Sequence, residues 1–422
     1  MTNFPFGFSL PGGGNEPDPG DPQWAAFMAQ LQQILSTSST GPVNWDLARQ
    51  VATGLAREGD RSLTAGERAE SGEALRLADL WLDPITSLPS GLTSSAGWSR
   101  LDWIEATLPT WQQLCDPVAA RVVDAMSTLL PAEGLTTEDM SPESVAALGP
   151  LAALAGGGGL AGMLGGLGGM MFGAQVGQGL GTLSREVLSS SDIGLPLPAN
   201  ATAALVTANL AEFTEGLELP AEEVRLYVAL REAAHHRLFG HVPWLRSHVV
   251  DAVGAYARGI TVDRAAFEEA LGQFDPNDPE SLQEALSGGM FEQADTPEQK
   301  QALARLETAL ALVEGWVAHV TTIAAEGRLP GADALAETFR RRRAAGGPAE
   351  QTFATLVGLE LRPRRLREAS QLWAALAEHR GAEGRDAVWG HPDLIPSGSD
   401  LDDPEGFAQQ DTNVDMPGLE DL

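Results

Sequence analysis

Residues 226–246 read LYVALREAAHHRLFGHVPWLR. The stretch holds His235, His236 and His241, with His248 just beyond; the other three of the chain's seven histidines are His319, His379 and His391. Within it, Arg231-Glu232-Ala233-Ala234-His235 is one residue away from H-E-x-x-H. In that motif two histidines four apart share a helical face and bind zinc, and the glutamate after the first acts as general base. Glu232 and the second histidine, His235, are in place, and Arg231 stands where the first histidine would be. Pro220-Ala-Glu-Glu opens the helix, with acidic residues at its positive N-terminal end, and Gly240 or Pro243 ends it. On that helix Val228, Arg231, His235 and Leu238 or Phe239 share a face.

On the N-terminal side, residues 201–216 read as a helix, and SDIGLPLP at 191–198 reads as an extended connection. Upstream of it no charged residue occurs between Glu143 and Arg185. Gly165, Gly169, Gly173, Gly177 and Gly181 recur there at intervals of four, which on a helix makes one stripe that a second backbone can approach closely. Two readings are open. The stretch is long enough for a membrane hairpin, or it is a pair of helices crossing tightly inside a soluble core. Gln175 and Gln178 and the lack of flanking Lys/Arg clusters favour the second. Gly156–Gly159 is not a phosphate loop, because no Gly-Lys-Ser/Thr follows.

Earlier still the pattern is helical. Trp24, Phe27, Met28, Leu31 and Leu35 share one face. Asn44 caps a helix over 45–58, and Thr64 to Glu67 is a capping-box start for a helix running toward Leu82. Another helix begins at 99–103, and Pro109 and Pro117 bracket a third. Trp81, Trp103 and Trp111 belong to apolar faces. Residues 1–21 are rich in Pro and Gly, lack the charge and apolar regions of a signal peptide, and read as a disordered arm.

On the C-terminal side, a helix is expected over 248–260, then an acidic, turn-rich segment over 267–293. Residues 299–326 form a long helical pattern with Leu303, Leu306, Leu310, Val313, Val317 and Val320 apolar, and it carries Glu314 and His319. Arg340 to Arg343 read as a solvated basic face that pairs with the acidic surplus. Residues 353–361 are short and apolar, and 363–380 are helical. After Arg385 there is no lysine or arginine, and the tail from 397 to 422 is acidic and expected to be disordered.

The expectation is therefore a mostly α protein: a multi-helical domain over 22–396 between the arm and the tail. A net charge of −31 argues against nucleic acid and anionic lipid as partners and suits a cytoplasmic protein. The single cysteine, Cys115, excludes internal disulfides and Cys-based zinc knuckles and reads as a buried small hydrophobe. No G-x-S-x-G elbow and no dinucleotide fingerprint after a strand are present.

Four phrases carry a family resemblance. They are REAAH with HVPWLR, GAQVGQGLGTLSREVL with SDIGLPLP, LVEGWVAHV, and LVGLELRPRRLREASQLW with RDAVWGHPDLIP. Together, over roughly residues 24–396, they resemble the type 2 zincin-like metallopeptidases. This is a bacterial group labelled zinc-dependent hydrolases or proteases, with a sister branch associated with deazaflavin coenzyme biosynthesis genes. The resemblance implies a helical zincin-like fold, an H-E-x-x-H helix, and a downstream glutamate helix that completes a zinc site. Carried over residue by residue, His235 matches the second histidine, Glu232 the general base and Glu314 the downstream ligand, while Arg231 departs from the pattern.

That departure bears on the cofactor. A catalytic zinc takes three protein ligands and a water. A guanidinium keeps its proton, has no lone pair to offer and repels a dication. It also has the size and charge to stand in the metal's place and bridge Glu232 and Glu314 as a fork. Any zinc would then need a substitute ligand. His319, five residues after Glu314, is the better spare, since His236 lies about 100° around the helix from His235. Three function classes follow: a pseudoenzyme whose cleft binds a peptide or protein, an active zinc hydrolase with Glu232 as base, and a membrane-associated protein using the glycine-rich helices.

Overall fold

The computed structural model describes residues 41–129, 159–198, 202–259, 296–344 and 365–410. The expected arm, the helix at 24–35, the acidic segment at 267–293, the apolar stretch at 353–361 and the tail beyond 410 lie outside them.

The described residues are mostly helical, as expected. In chain order they form α1 (Trp45–Ala56), α2 (Ala65–Leu82), β1 (Ser94–Trp98), α3 (Arg100–Leu129), α4 (Gly159–Ser184), β2 (Thr202–Val206), α5 (Thr207–Glu215) and α6 (Ala221–His241). Then follow α7 (Pro243–Ala257), α8 (Pro297–Ala325), α9 (Ala332–Ala344), α10 (Leu366–Ala387) and α11 (Pro404–Gln409). Local chemistry sets several starts. Asn44 accepts from Leu47 N at 3.0 Å to cap α1. Thr64 with Glu67, and Thr296 with Gln299, close reciprocal capping boxes on α2 and α8.

Three expectations need correction. Residues 202–206 are a strand, and the helix begins only at Thr207; TAALV is short, apolar and partly β-branched, and it pairs in parallel with β1 from Ser94↔Thr202 to Trp98↔Val206. Pro109 and Pro117 do not bracket a helix but lie inside one, α3. Residues 397–410 belong to the folded body, since α11 packs on α10, and Ala408 in α11 and Leu401 just before it are both buried.

The strand pair stands between two cores. Ala203 and Leu205 face one, with Tyr227, Trp316, Trp373 and Trp389; Ala204 and Val206 face the other, with Trp103, Trp111 and Val176. Alternation along β2 thus divides the interior. Helix α8 crosses both: Leu306 and Leu310 enter the second core, and Val313, Trp316, Val317 and Val320 enter the first.

The glycine stripe is used inside the protein. A Cβ on Gly173 would lie 2.4 Å from the Asn44 carbonyl, one on Gly177 2.6 Å from the Ala48 carbonyl, and one on Gly181 2.8 Å from the Leu55 side chain. Asn44 N donates to Gly169 O at 2.8 Å. So α1 lies directly on the bare backbone of α4, and this contact offsets the helix penalty of glycine, about 1 kcal/mol per residue. Among the described residues one helix, α8, is long and apolar enough to cross a membrane, and most of its apolar window is buried in the fold.

Candidate functional site

Helix α6 is buried without a break from Tyr227 to Leu238. That run includes Arg231, Glu232, His235, His236 and Arg237, and a buried charge is tolerated only with a partner. The partners lie in three directions. Arg237 turns to α2 and its exit loop: Nε donates to Asp79 Oδ1 at 2.8 Å, Nη2 to Asp83 at 2.5 Å, and Nη1 to the Leu88 carbonyl at 2.9 Å. It is a structural tie.

Arg231 and His235, one turn apart, both reach Glu314 on α8. Arg231 Nη2 donates to Glu314 Oε2 at 2.6 Å, and His235 Nε2 lies 3.1 Å from Oε1. A second guanidinium arrives from α9, where Arg343 Nη2 donates to Glu314 Oε1 at 2.9 Å. Glu314 is only 3% exposed. Burial alone would push its carboxyl up, but Arg343, then Arg231 and His235, hold it well below the usual carboxylate range. Arg231 also lies over the Phe339 ring, 4.9 Å from its centroid, so Phe339 and Arg343, one turn apart on α9, close the cluster together.

The loop after α4 forms the floor of the cluster. Gly194 has φ +77°, and a Cβ there would sit 2.7 Å from Glu314 Oε1, so both the turn and the close approach call for glycine. Arg342 Nη1 meets Asp192 Oδ2 at 2.8 Å, and Arg343 also donates to the Asp192 carbonyl. Asp192 is buried; against that burial, Arg342 and then Arg343 hold its carboxyl down.

Glu232 faces elsewhere and does not meet Arg231 in the expected fork. Its wholly buried carboxylate accepts from the Ser190 hydroxyl, from Ser191 N at 3.1 Å and from Ala204 N at 3.3 Å. His236 Nε2 lies 3.1 Å from Glu232 Oε1 and 3.3 Å from Ser190 Oγ. Burial would raise this carboxyl, and the bond from His236 and that from Ser190 lower it on balance. Glu232 thus ties α6 to β2 and to the 188–191 strand edge, which pairs with β2 through Ser190 N to Ala204 O at 2.9 Å.

His319 lies apart from this cluster: its charged neighbours are Arg385 and Asp386. Burial and then Arg385 depress its pKa to about 4, and its buried Nε2 has no hydrogen-bond partner among the described residues. Of the other histidines, His241 meets the Ser90 carbonyl at 3.2 Å and His379 meets Glu405 at 3.0 Å. Residues that the sequence reading did not connect with the site are Arg343, Asp192 and Ser190. The four-residue spacing of Phe339 and Arg343 was the available hint: it puts one arginine of the basic run on an apolar face.

Arg231, His235 and Glu314 therefore meet, but as an ion-pair cluster. Zinc requires three lone-pair donors directed at one point. Here one of the three residues is a guanidinium, and both oxygens of Glu314 already accept from arginine. Among the described residues no group of three or more His, Cys, Asp or Glu side chains is gathered as a metal would need. The residues present do not fit the ion.

The sequence profile of the zincin-like metallopeptidases matches residues 43–408, so the chain belongs to that family. Its fold is similar to a crystal structure from Chloroflexus aurantiacus described as "a putative hydrolase with a novel fold", with a TM-score of 0.57 and 21% identity. The likeness covers 87% of this chain and 97% of the other. A comparison with curated proteins finds no match.

Proposed function

We propose that this member of the zincin-like family is a binding protein for a peptide or protein segment, in which arginines occupy the place where relatives would hold zinc. The carrying observation is Glu314, held between Arg231 at 2.6 Å and Arg343 at 2.9 Å. Two guanidiniums at hydrogen-bond distance oppose a dication by charge and leave it too few lone pairs. Glu232 adds to the case. A general base needs access to the water it deprotonates, whereas this carboxylate is sealed and accepts from two backbone amides and a hydroxyl. The competing reading, an active zinc hydrolase, draws on His235 and Glu314 remaining neighbours at 3.1 Å.

Peptide turnover separates the two. The purified protein is incubated with a mixed peptide library, with and without added zinc, and products are read by mass spectrometry. The proposal expects no cleavage beyond that of a His235→Ala control. Zinc-dependent cleavage that disappears in that control would overturn it.

A further inference from the structure

A pocket of roughly 220 Å³ opens between the 191–198 loop and the first turn of α7, beside the Glu232 network. Pro196, Pro198 and Phe239 give it apolar walls, and its polar lining residues are Ser191, His236 and Arg246. Ser191 is 0% exposed, and among the described residues its hydroxyl has no hydrogen-bond partner. Its backbone is fixed, because Ser191 N donates to Glu232 at 3.1 Å. A buried hydroxyl left unpaired is costly unless something else supplies the bond.

Arg246 is the second unusual group. In a chain with 58 acidic and 27 basic residues, it pairs with no carboxylate among the described residues. Its Nη2 donates to Thr110 Oγ1 at 2.5 Å, and Thr110 in turn donates to the Leu197 carbonyl at 2.6 Å. The guanidinium is thus anchored to the proline wall, with most of its donors unpaired among the described residues. The same side of the pocket is the first turn of α7, which no side chain caps, so its positive end also favours an anion.

We infer that this pocket binds the C-terminal carboxylate and apolar last side chain of a peptide. Arg246 takes the carboxylate, Ser191 supplies a further hydrogen bond, and the proline and phenylalanine walls hold the side chain. The volume limits the occupant, since sites for drug-sized ligands run about 300–1,000 Å³ and this one holds about one residue. The inference rests on the binding reading above and names the chemistry that the site recognises.

Calorimetric titration of the full chain tests it with three probes: the pentapeptide Ac-Ala-Ala-Ala-Ala-Leu with a free C-terminus, the same peptide amidated, and N-acetyl-leucine. The free-acid peptide should bind roughly ten- to a hundredfold more tightly than the amide, the range of one charge-assisted pair. Arg246→Gln should remove most of that preference, and Ser191→Ala should weaken binding several-fold. Should Arg246→Gln fail to fold, the acid-to-amide ratio and Ser191→Ala carry the test alone. Equal binding of acid and amide, or binding of neither, overturns the inference. N-acetyl-leucine binding as tightly as the pentapeptide overturns the peptide assignment in favour of a free carboxylic acid. Binding of the amide without preference leaves the parent reading standing, and zinc-dependent cleavage of either peptide removes that reading.

Discussion

Replacing Glu314 by glutamine removes the carboxylate that Arg231 and Arg343 both contact. The Arg231 side chain is only 7% exposed, so the variant leaves a buried guanidinium facing a neutral amide. Breaking a buried pair by removing one partner costs about 3–5 kcal/mol. The unfolding entropy near 60 °C, about 2.1 cal/mol/K per residue, comes to roughly 0.8 kcal/mol/K over the residues matched by the family, 43–408. The expected drop in Tm is then about 4–6 °C at pH 7. The native carboxyl is held below its ordinary value of 4.5, so its stabilisation is complete above that pH and is lost as pH falls from there toward the native pKa. The gap between wild type and Glu314→Gln should therefore be constant from pH 7 to 5. Below pH 4.5 it should narrow by up to about 1.4 kcal/mol per pH unit. Scanning calorimetry across that range reads both effects. A gap under 1 °C at pH 7, or one that does not narrow in acid, would refute the idea that Glu314 is the buried anion of the cluster.

Glu232→Gln should lower Tm by several degrees, because the carboxylate serves three donors in the α6–β2 tie; a general base in an open site would leave stability nearly unchanged, and thermal unfolding distinguishes the two. Gly173→Ala should destabilise by about 1–3 kcal/mol, since its Cβ would meet the Asn44 carbonyl at 2.4 Å. Gly166→Ala, where no described residue lies within 4 Å, should stabilise α4 by about 0.5–1 kcal/mol, and denaturant titration of both gives opposite signs. His319 has its native pKa depressed from 6.5 to about 4, so wild type should lose stability as pH falls through that window. His319→Gln should show a shallower loss of Tm between pH 6.5 and 4.

The helices of this protein were legible because their signals are local. The Asn44 cap, the Thr64–Glu67 box and the apolar spacing of α8 depend on residues within a turn or two of each other. The glycine period predicted a close helix contact, and that contact exists; that α1 is the partner could not be read, because packing partners are set by tertiary structure. The strand at 202–206 was missed because TAALV runs into a helical pattern at Thr207, and its β identity comes from pairing with β1, about a hundred residues earlier. The site was half legible. The motif spacing located Arg231, Glu232 and His235, and the resemblance supplied Glu314. The direction of Glu232 was not readable, because a rotation of about 60° around α6 separates its face from that of His235. Arg343 was hidden for a related reason: in a run of four arginines, only the register of α9 decides which ones turn inward. Arg340 and Arg341 pair with Glu337 at the surface, as a solvated run would, while Arg342 and Arg343 reach Asp192 and Glu314.

Zinc stoichiometry decides whether arginine has taken the metal's place. The tag-free protein is dialysed against micromolar zinc and its metal content measured beside Arg231→His and the double variant Arg231→His with Arg343→Ala. The natural protein should hold no stoichiometric zinc, the single variant should take it up weakly because Arg343 still holds Glu314, and the double variant should hold close to one zinc per chain. Near one zinc per chain in the natural protein, lost on His235→Ala, would contradict that substitution of arginine for the metal.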